Sequence, residues 1–61
     1  MKFNILIKFK DGTEKIITDA TEYGANNDNG CFYVIKNGYR QFIPKENVLY
    51  IGREFDLKGG D

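Results

Sequence analysis

The 61 residues include no histidine and no tryptophan, and only one cysteine, one proline and one methionine. Without histidine, and with Cys31 alone, the zinc, iron and nucleophile–base arrangements that enzymes build from these side chains cannot be assembled within the chain. A lone thiol also excludes an intrachain disulfide and suits a reducing compartment, so a cytoplasmic location is expected. An excess of one charge is missing too. Nine basic residues balance nine acidic ones, giving a formal net charge of zero and a pI near 6.2, so no global field draws in phosphate backbones. The apolar stretch in MKFNILIKFK is too short and interrupted for a signal sequence, and no run approaches the roughly 18 residues of a membrane span. No membrane partner is expected.

What remains is 41% hydrophobic and 15% aromatic, an ordinary globular composition. A chain this short buries only about 60% of the surface its unfolded form exposes, enough for one core. One small β domain is expected over residues 1–57, with a frayed tail at 58–61. The composition, rich in Ile, Lys and Asn, hints at an AT-rich coding genome.

The strands are written in the alternation. In KFNILIKFK, Phe3, Ile5, Ile7 and Phe9 alternate with polar residues, and only Leu6 breaks the pattern. Asp11-Gly12 then predicts a type I′ turn, and TEKIITDA returns as the partner strand. The run TEYGANNDNG from Thr21 to Gly30 is nearly devoid of apolar side chains and reads as a surface loop. CFYVIK and YRQFI flank Asn37-Gly38, the strongest short hairpin signal. A two-residue turn there puts Phe32, Val34, Gln41 and Ile43 on one face and Tyr33, Ile35, Arg40 and Phe42 on the other. Pro44-Lys45-Glu46-Asn47 predicts a single 3₁₀ turn, and VLYIG a short last strand that Phe55 and Leu57 would extend. The fold class is all-β: a small five-stranded barrel, or an antiparallel sheet, with one 3₁₀ turn near residues 44–47. In that plan the polar break at PKEN carries the chain between sheets.

FIPKENV resembles the end of Src-homology-3 domains, where an apolar pair, a proline and one 3₁₀ turn precede a core valine. Ile43, Pro44 and Val48 match it, and Val48 and Ile51 are also spaced as in Sm-like barrels. The resemblance spans about residues 31–52 and implies a fold. It does not imply polyproline recognition, because Glu46-Asn47 stands where those domains carry Asn-Tyr and there is no tryptophan. Nor is the glycine and acidic signature of an RNA-binding Sm ring present.

Candidate sites are few. Cys31 opens a hydrophobic strand and reads as a small buried side chain rather than a nucleophile. Asn26-Asn27-Asp28-Asn29-Gly30 has the oxygens of a calcium loop but not its first-position Asp or bidentate Glu. The glycines fit no phosphate-cradling spacing, and the carboxylates lie outside apolar runs. No cofactor or metal is expected. Two surfaces stand out. If Ile43 faces inward, Tyr33, Ile35, Arg40 and Phe42 form an outer face of the residue types enriched at protein interfaces, unless the segment around Phe55 and Leu57 folds over it. Lys2, Lys8 and Lys10, with Lys36, Arg40 and the interleaved Tyr33, Tyr39 and Phe42, have the composition of a surface for single-stranded nucleic acid; strand lysines also serve to discourage edge-to-edge aggregation. The first surface predicts a non-enzymatic module that binds a protein or itself, such as a bacterial or bacteriophage accessory or inhibitor protein. The second predicts a nucleic-acid-binding barrel.

Overall fold

Strand β1 (Phe3–Phe9) carries the alternation of its sequence into space, with Ile5 and Ile7 fully buried on one side. The computed structural model describes residues 1–58. After β1 come β2 (Glu14–Asn26), β3 (Cys31–Lys36), β4 (Tyr39–Pro44), a 3₁₀ turn at Lys45–Asn47, β5 (Val48–Arg53) and one helical turn, α1 (Glu54–Leu57). All ladders are antiparallel, and the strand order is β4-β3-β2-β1-β5. Of the two expected forms, this is the open sheet rather than the barrel: β4 and β5 are its edges, and no ladder joins them among the described residues. The chain passes between these edges through the 3₁₀ turn. Lys45 N–H donates to Gly30 O at 3.1 Å, and Lys10 N–H donates to Asn47 O at 3.0 Å. These contacts tie the turn to two hairpin loops and not to a strand, which is what the PKEN break accomplishes.

The core is Ile5, Ile7, Ile17, Ala20, Val34 and Val48, with Phe3, Phe9, Phe32, Ile43 and Ile51 packed against it. Phe32, Val34 and Ile43 therefore face inward, as the strand pattern requires. Leu6 is buried on the opposite side. It pairs with Gly52, and Leu57 of α1 lies so close over Gly52 that a Cβ there would sit 3.3 Å from Leu57 Cδ1. The residue that broke the alternation is thus the centre of a second, smaller apolar contact beneath α1.

Three expectations are corrected. Residues 21–26 are strand, not loop: β2 runs for 13 residues and pairs with β1 through its first half and with β3 through its second. It bends where Asp19 adopts φ 57°, within the register shift of the β1 ladder and just before that of the β3 ladder, and Asn4 Oδ1 accepts the Asp19 N–H at 3.4 Å. Such a bulge redirects a strand without ending it. Only Asn27–Gly30 remain as the connection, where Asn26 and Asn29 side chains accept the N–H groups of Asp28 and Cys31. The segment after Arg53 does not extend β5. It turns into α1, held by Lys58–Glu54 and Arg53–Asp56 ion pairs at 3.6 and 3.3 Å, because extension would leave Leu6 open to water. The first hairpin is not type I′: Gly12 alone has positive φ (96°), and Gly12 N–H donates to Phe9 O, giving a three-residue loop. At Asn37-Gly38 both residues have positive φ (53° and 78°), as a type I′ turn demands. Of the expected frayed tail, Lys58 closes α1 through a bond to Glu54 O, and 59–61 lie outside the described residues.

In the first turn the Asp11 carboxylate accepts the Thr13 hydroxyl at 2.6 Å and the Thr13 N–H at 2.9 Å. These bonds, the hydroxyl first, hold Asp11 below the usual carboxylate range. A depressed folded pKa means the turn's contribution is present above the ordinary Asp value, near pH 4, and lost as pH falls through the lowered one. An NMR titration should place the Asp11 midpoint below its ordinary value, and Thr13→Ala should move it part of the way back, since the hydroxyl bond is lost and the backbone N–H bond stays.

Candidate interaction face

The register of β2, β3 and β4 determines what shares the outer side of the sheet. Val34 is buried inward beside Tyr23 and Gln41, so the flanking rows face out: Glu22–Ile35–Arg40 and Gly24–Tyr33–Phe42. The four residues singled out from the sequence, Tyr33, Ile35, Arg40 and Phe42, are thus contiguous. Tyr33 and Ile35 are half-buried, Arg40 is exposed, and Phe42 leaves 49% of its surface to solvent.

Tyr33 organises this face. Its ring lies across Gly24, where a Cβ would come within 2.8 Å of the phenol oxygen. Glycine is required there by a close approach, not by its backbone angles. The Tyr33 hydroxyl donates to Glu22 Oε2 at 3.1 Å, a bond that raises the phenol above its usual pKa. The Arg40 guanidinium sits 5.0 Å from the ring centroid on its face, the geometry of a cation–π contact. Nothing in the alternation pointed to Glu22 and Gly24, because the sequence places them in an apparent loop. The tyrosine is thus held at three points within the chain itself. α1, the other candidate to cover this face, packs against β1 and β5 instead.

The lysines are not brought together. Lys2 and Lys10 flank β1 at opposite ends, roughly 25 Å apart at the rise of a strand. Lys8 lies on the outer side, 3.5 Å from the Glu14 carboxylate and 3.1 Å from Gly12 O. Lys36 and its partner Tyr39 fall on the core-side parity of the second hairpin, where Lys36 Nζ donates to Thr18 Oγ1 at 3.3 Å. Tyr39 is exposed at the hairpin tip.

Among the described residues the other surfaces hold no convergent chemistry. The groove lined by Lys2, Phe3, Asn4, Arg53, Glu54 and Phe55 neutralises itself: Asn4 and Lys58 engage Glu54, and Arg53 engages Asp56. In the Asn27–Gly30 connection, Asn27 Oδ1 accepts Lys45 Nζ at 3.0 Å, and no group of three candidate metal ligands occurs among the described residues. Cys31, expected to be buried, is only half-buried at the first position of β3, its Sγ 3.6 Å from Asn29 O. No helix among the described residues is long and apolar enough to cross a membrane. Compared with protein families, curated proteins and solved structures, the chain matches none of them.

Proposed function

We propose that this chain is a small non-enzymatic binding module that acts by protein–protein contact through the outer face of β3 and β4. The observation that carries the reading is the pinned Tyr33 ring beside half-exposed Phe42, with Arg40 stacked over it. A flat, ordered group of Tyr, Phe and Arg is the composition of an interface centre. The nucleic-acid reading lacks comparable support, since its lysines are divided between the two sides and two ends of the sheet. The absence of histidine and the single cysteine favour a non-catalytic role. A cytoplasmic accessory or inhibitor protein of a bacterium or bacteriophage fits the size and composition. The placement of Ile43, Pro44 and Val48 around the 3₁₀ turn supports the Src-homology-3-like resemblance for this segment alone, within an open sheet and without the polyproline groove.

The test is a photo-crosslinker, benzoylphenylalanine, placed at Phe42 and separately at Leu49 of β5, irradiated in host lysate with and without nuclease. A protein adduct specific to position 42 and indifferent to nuclease is the expected result. A nuclease-sensitive adduct, or equal labelling from both positions, would overturn the assignment.

A further inference from the structure

The two edges of the sheet are built differently. On β5, Val48 and Tyr50 pair with consecutive residues of β1, Phe9 and Lys8, leaving Leu49 as a bulge, and α1 follows at once. Bulges and short, covered edges are common protections against pairing with another chain. β4 has none of this. Its six residues, YRQFIP, pair with β3 in unbroken register, and they include no lysine and no acidic side chain. Its only residues of protective kinds are Arg40, whose guanidinium lies over the Tyr33 ring, and Pro44 at the last position.

The hairpin settles which backbone groups β4 presents. Lys36 and Tyr39 close a two-residue turn and exchange both of their hydrogen bonds, and the pairs then alternate. Gln41 and Ile43 therefore bond to β3, whereas Arg40 and Phe42 turn their backbone groups to the open edge and Pro44 caps the 3₁₀ turn. Proline has no N–H, so the outward donors of the strand are Arg40 and Phe42.

We propose that this edge pairs with the same edge of a second copy, antiparallel about a two-fold axis at Gln41. This rests on the reading of β3–β4 as a protein-binding face and names its partner. In this register Arg40 lies opposite Phe42 of the second copy, and Phe42 opposite its Arg40. The two outward N–H groups of each strand donate to outward carbonyls of the other, giving four backbone bonds. Each guanidinium, already over its own Tyr33 ring, gains a second aromatic neighbour, and the two Gln41 amides meet across the axis. No charged side chain is placed directly opposite a like charge. A shift that puts Phe42 opposite itself sets Arg40 against Pro44, which has no donor and whose carbonyl begins the 3₁₀ turn. The outer rows then continue across the junction as Glu22–Ile35–Arg40–Phe42–Tyr33–Gly24, and one ten-stranded sheet results. A single strand edge falls below the roughly 1,200 Å² of stable interfaces, so a weak, concentration-dependent dimer is expected.

The experiment uses the full chain with Cys31→Ser, to which Gln41→Cys, Phe42→Cys or Leu49→Cys is added. Directly opposed non-hydrogen-bonded residues approach closely enough for a disulfide. In a glutathione redox buffer Gln41→Cys should form a covalent dimer at least tenfold faster than the other two. The Cys31→Ser protein alone should sediment as a monomer–dimer equilibrium. A second variant guards against misfolding at position 41: Phe42 methylated on its backbone nitrogen, made by joining two synthetic segments at Cys31. It should keep the far-ultraviolet spectrum of the parent and lose the dimer, since that N–H bonds only to the second copy. Preferential cross-linking at Phe42 or Leu49 would overturn the register, as would a dimer that survives methylation. A chain that stays monomeric to about 1 mM would overturn self-pairing while leaving the wider reading standing, if the Phe42 photo-adduct contains a different protein. Loss of that adduct together with the dimer would overturn both.

Discussion

Ile5→Ala is expected to cost about 2 to 5 kcal/mol, through the lost burial of its side chain and the cavity left behind. Ile5 has no exposed surface and sits in the middle strand of three, opposite Ile17 on one side and Arg53 on the other. Neighbours held by two ladders cannot collapse freely into the space. A core of this size rarely supplies more than about 3 to 5 kcal/mol in total, so the variant should be largely unfolded at 25 °C. Val48→Ala and Ile43→Ala should follow in decreasing order, because Val48 is buried and Ile43 only partly so. Ile16→Ala is the control: it lies one position from Ile17 but is 42% exposed on the outer side, and its cost should stay below about 1 kcal/mol. Urea titrations of the four variants give the ranking. If Ile5→Ala and Ile16→Ala unfold at the same denaturant concentration, the inward assignment of the odd-numbered β1 residues is wrong.

Phe42→Ala should show the opposite profile, with stability nearly kept and association lost. Half of the ring is already in water, so truncation should cost the fold about 1 kcal/mol or less. An aromatic anchor at the centre of a contact is typically worth about 2 kcal/mol or more, a weakening of about 30-fold. Calorimetric titration of the partner captured at Phe42, or sedimentation where that partner is a second copy, measures the loss. Binding should change little with added salt. Replacing Lys2, Lys8 and Lys10 together by glutamine should leave it within about twofold, whereas a nucleic-acid ligand would be released steeply by both treatments. A folded Phe42→Ala protein that binds at full strength would remove the interface from this face.

The sequence disclosed whatever is encoded locally. Period-two alternation in β1, the Asn37-Gly38 turn and the proline before the 3₁₀ turn each follow from residue-level preferences. The two faces of the second hairpin could be written down from its turn length alone. The misread segments depend on residues distant in sequence. TEYGAN looks like a loop because its outward row is Glu22 and Gly24, and Gly24 is explained only by the Tyr33 ring above it. Leu6 looks like an error in the pattern until α1 arrives from the far end of the chain to cover it. The position of Asp19 in a left-handed conformation is a consequence of one strand serving two neighbours, which a propensity scale does not see. The candidate face was legible as a set of four residues, but the contacts that order it were not.

The strand order also dictates how the molecule must come together in time. Three of the four ladders join strands that follow one another in the chain, and each can zip from its own turn. The fourth sets Ile5 opposite Arg53, closing a loop of roughly 45 residues before any of its contacts contribute. Folding should therefore be governed by this one closure: a β1–β2–β3–β4 meander forms and dissolves quickly, and docking of β5 commits it. Substitutions in β5, such as Ile51→Val, should then slow refolding, and so should those at the tip of the second hairpin, such as Tyr39→Ala, because that hairpin is already formed when β5 docks. The residues that decide whether the sheet persists thus follow the other four strands in the chain, and until they dock β1 has one open side.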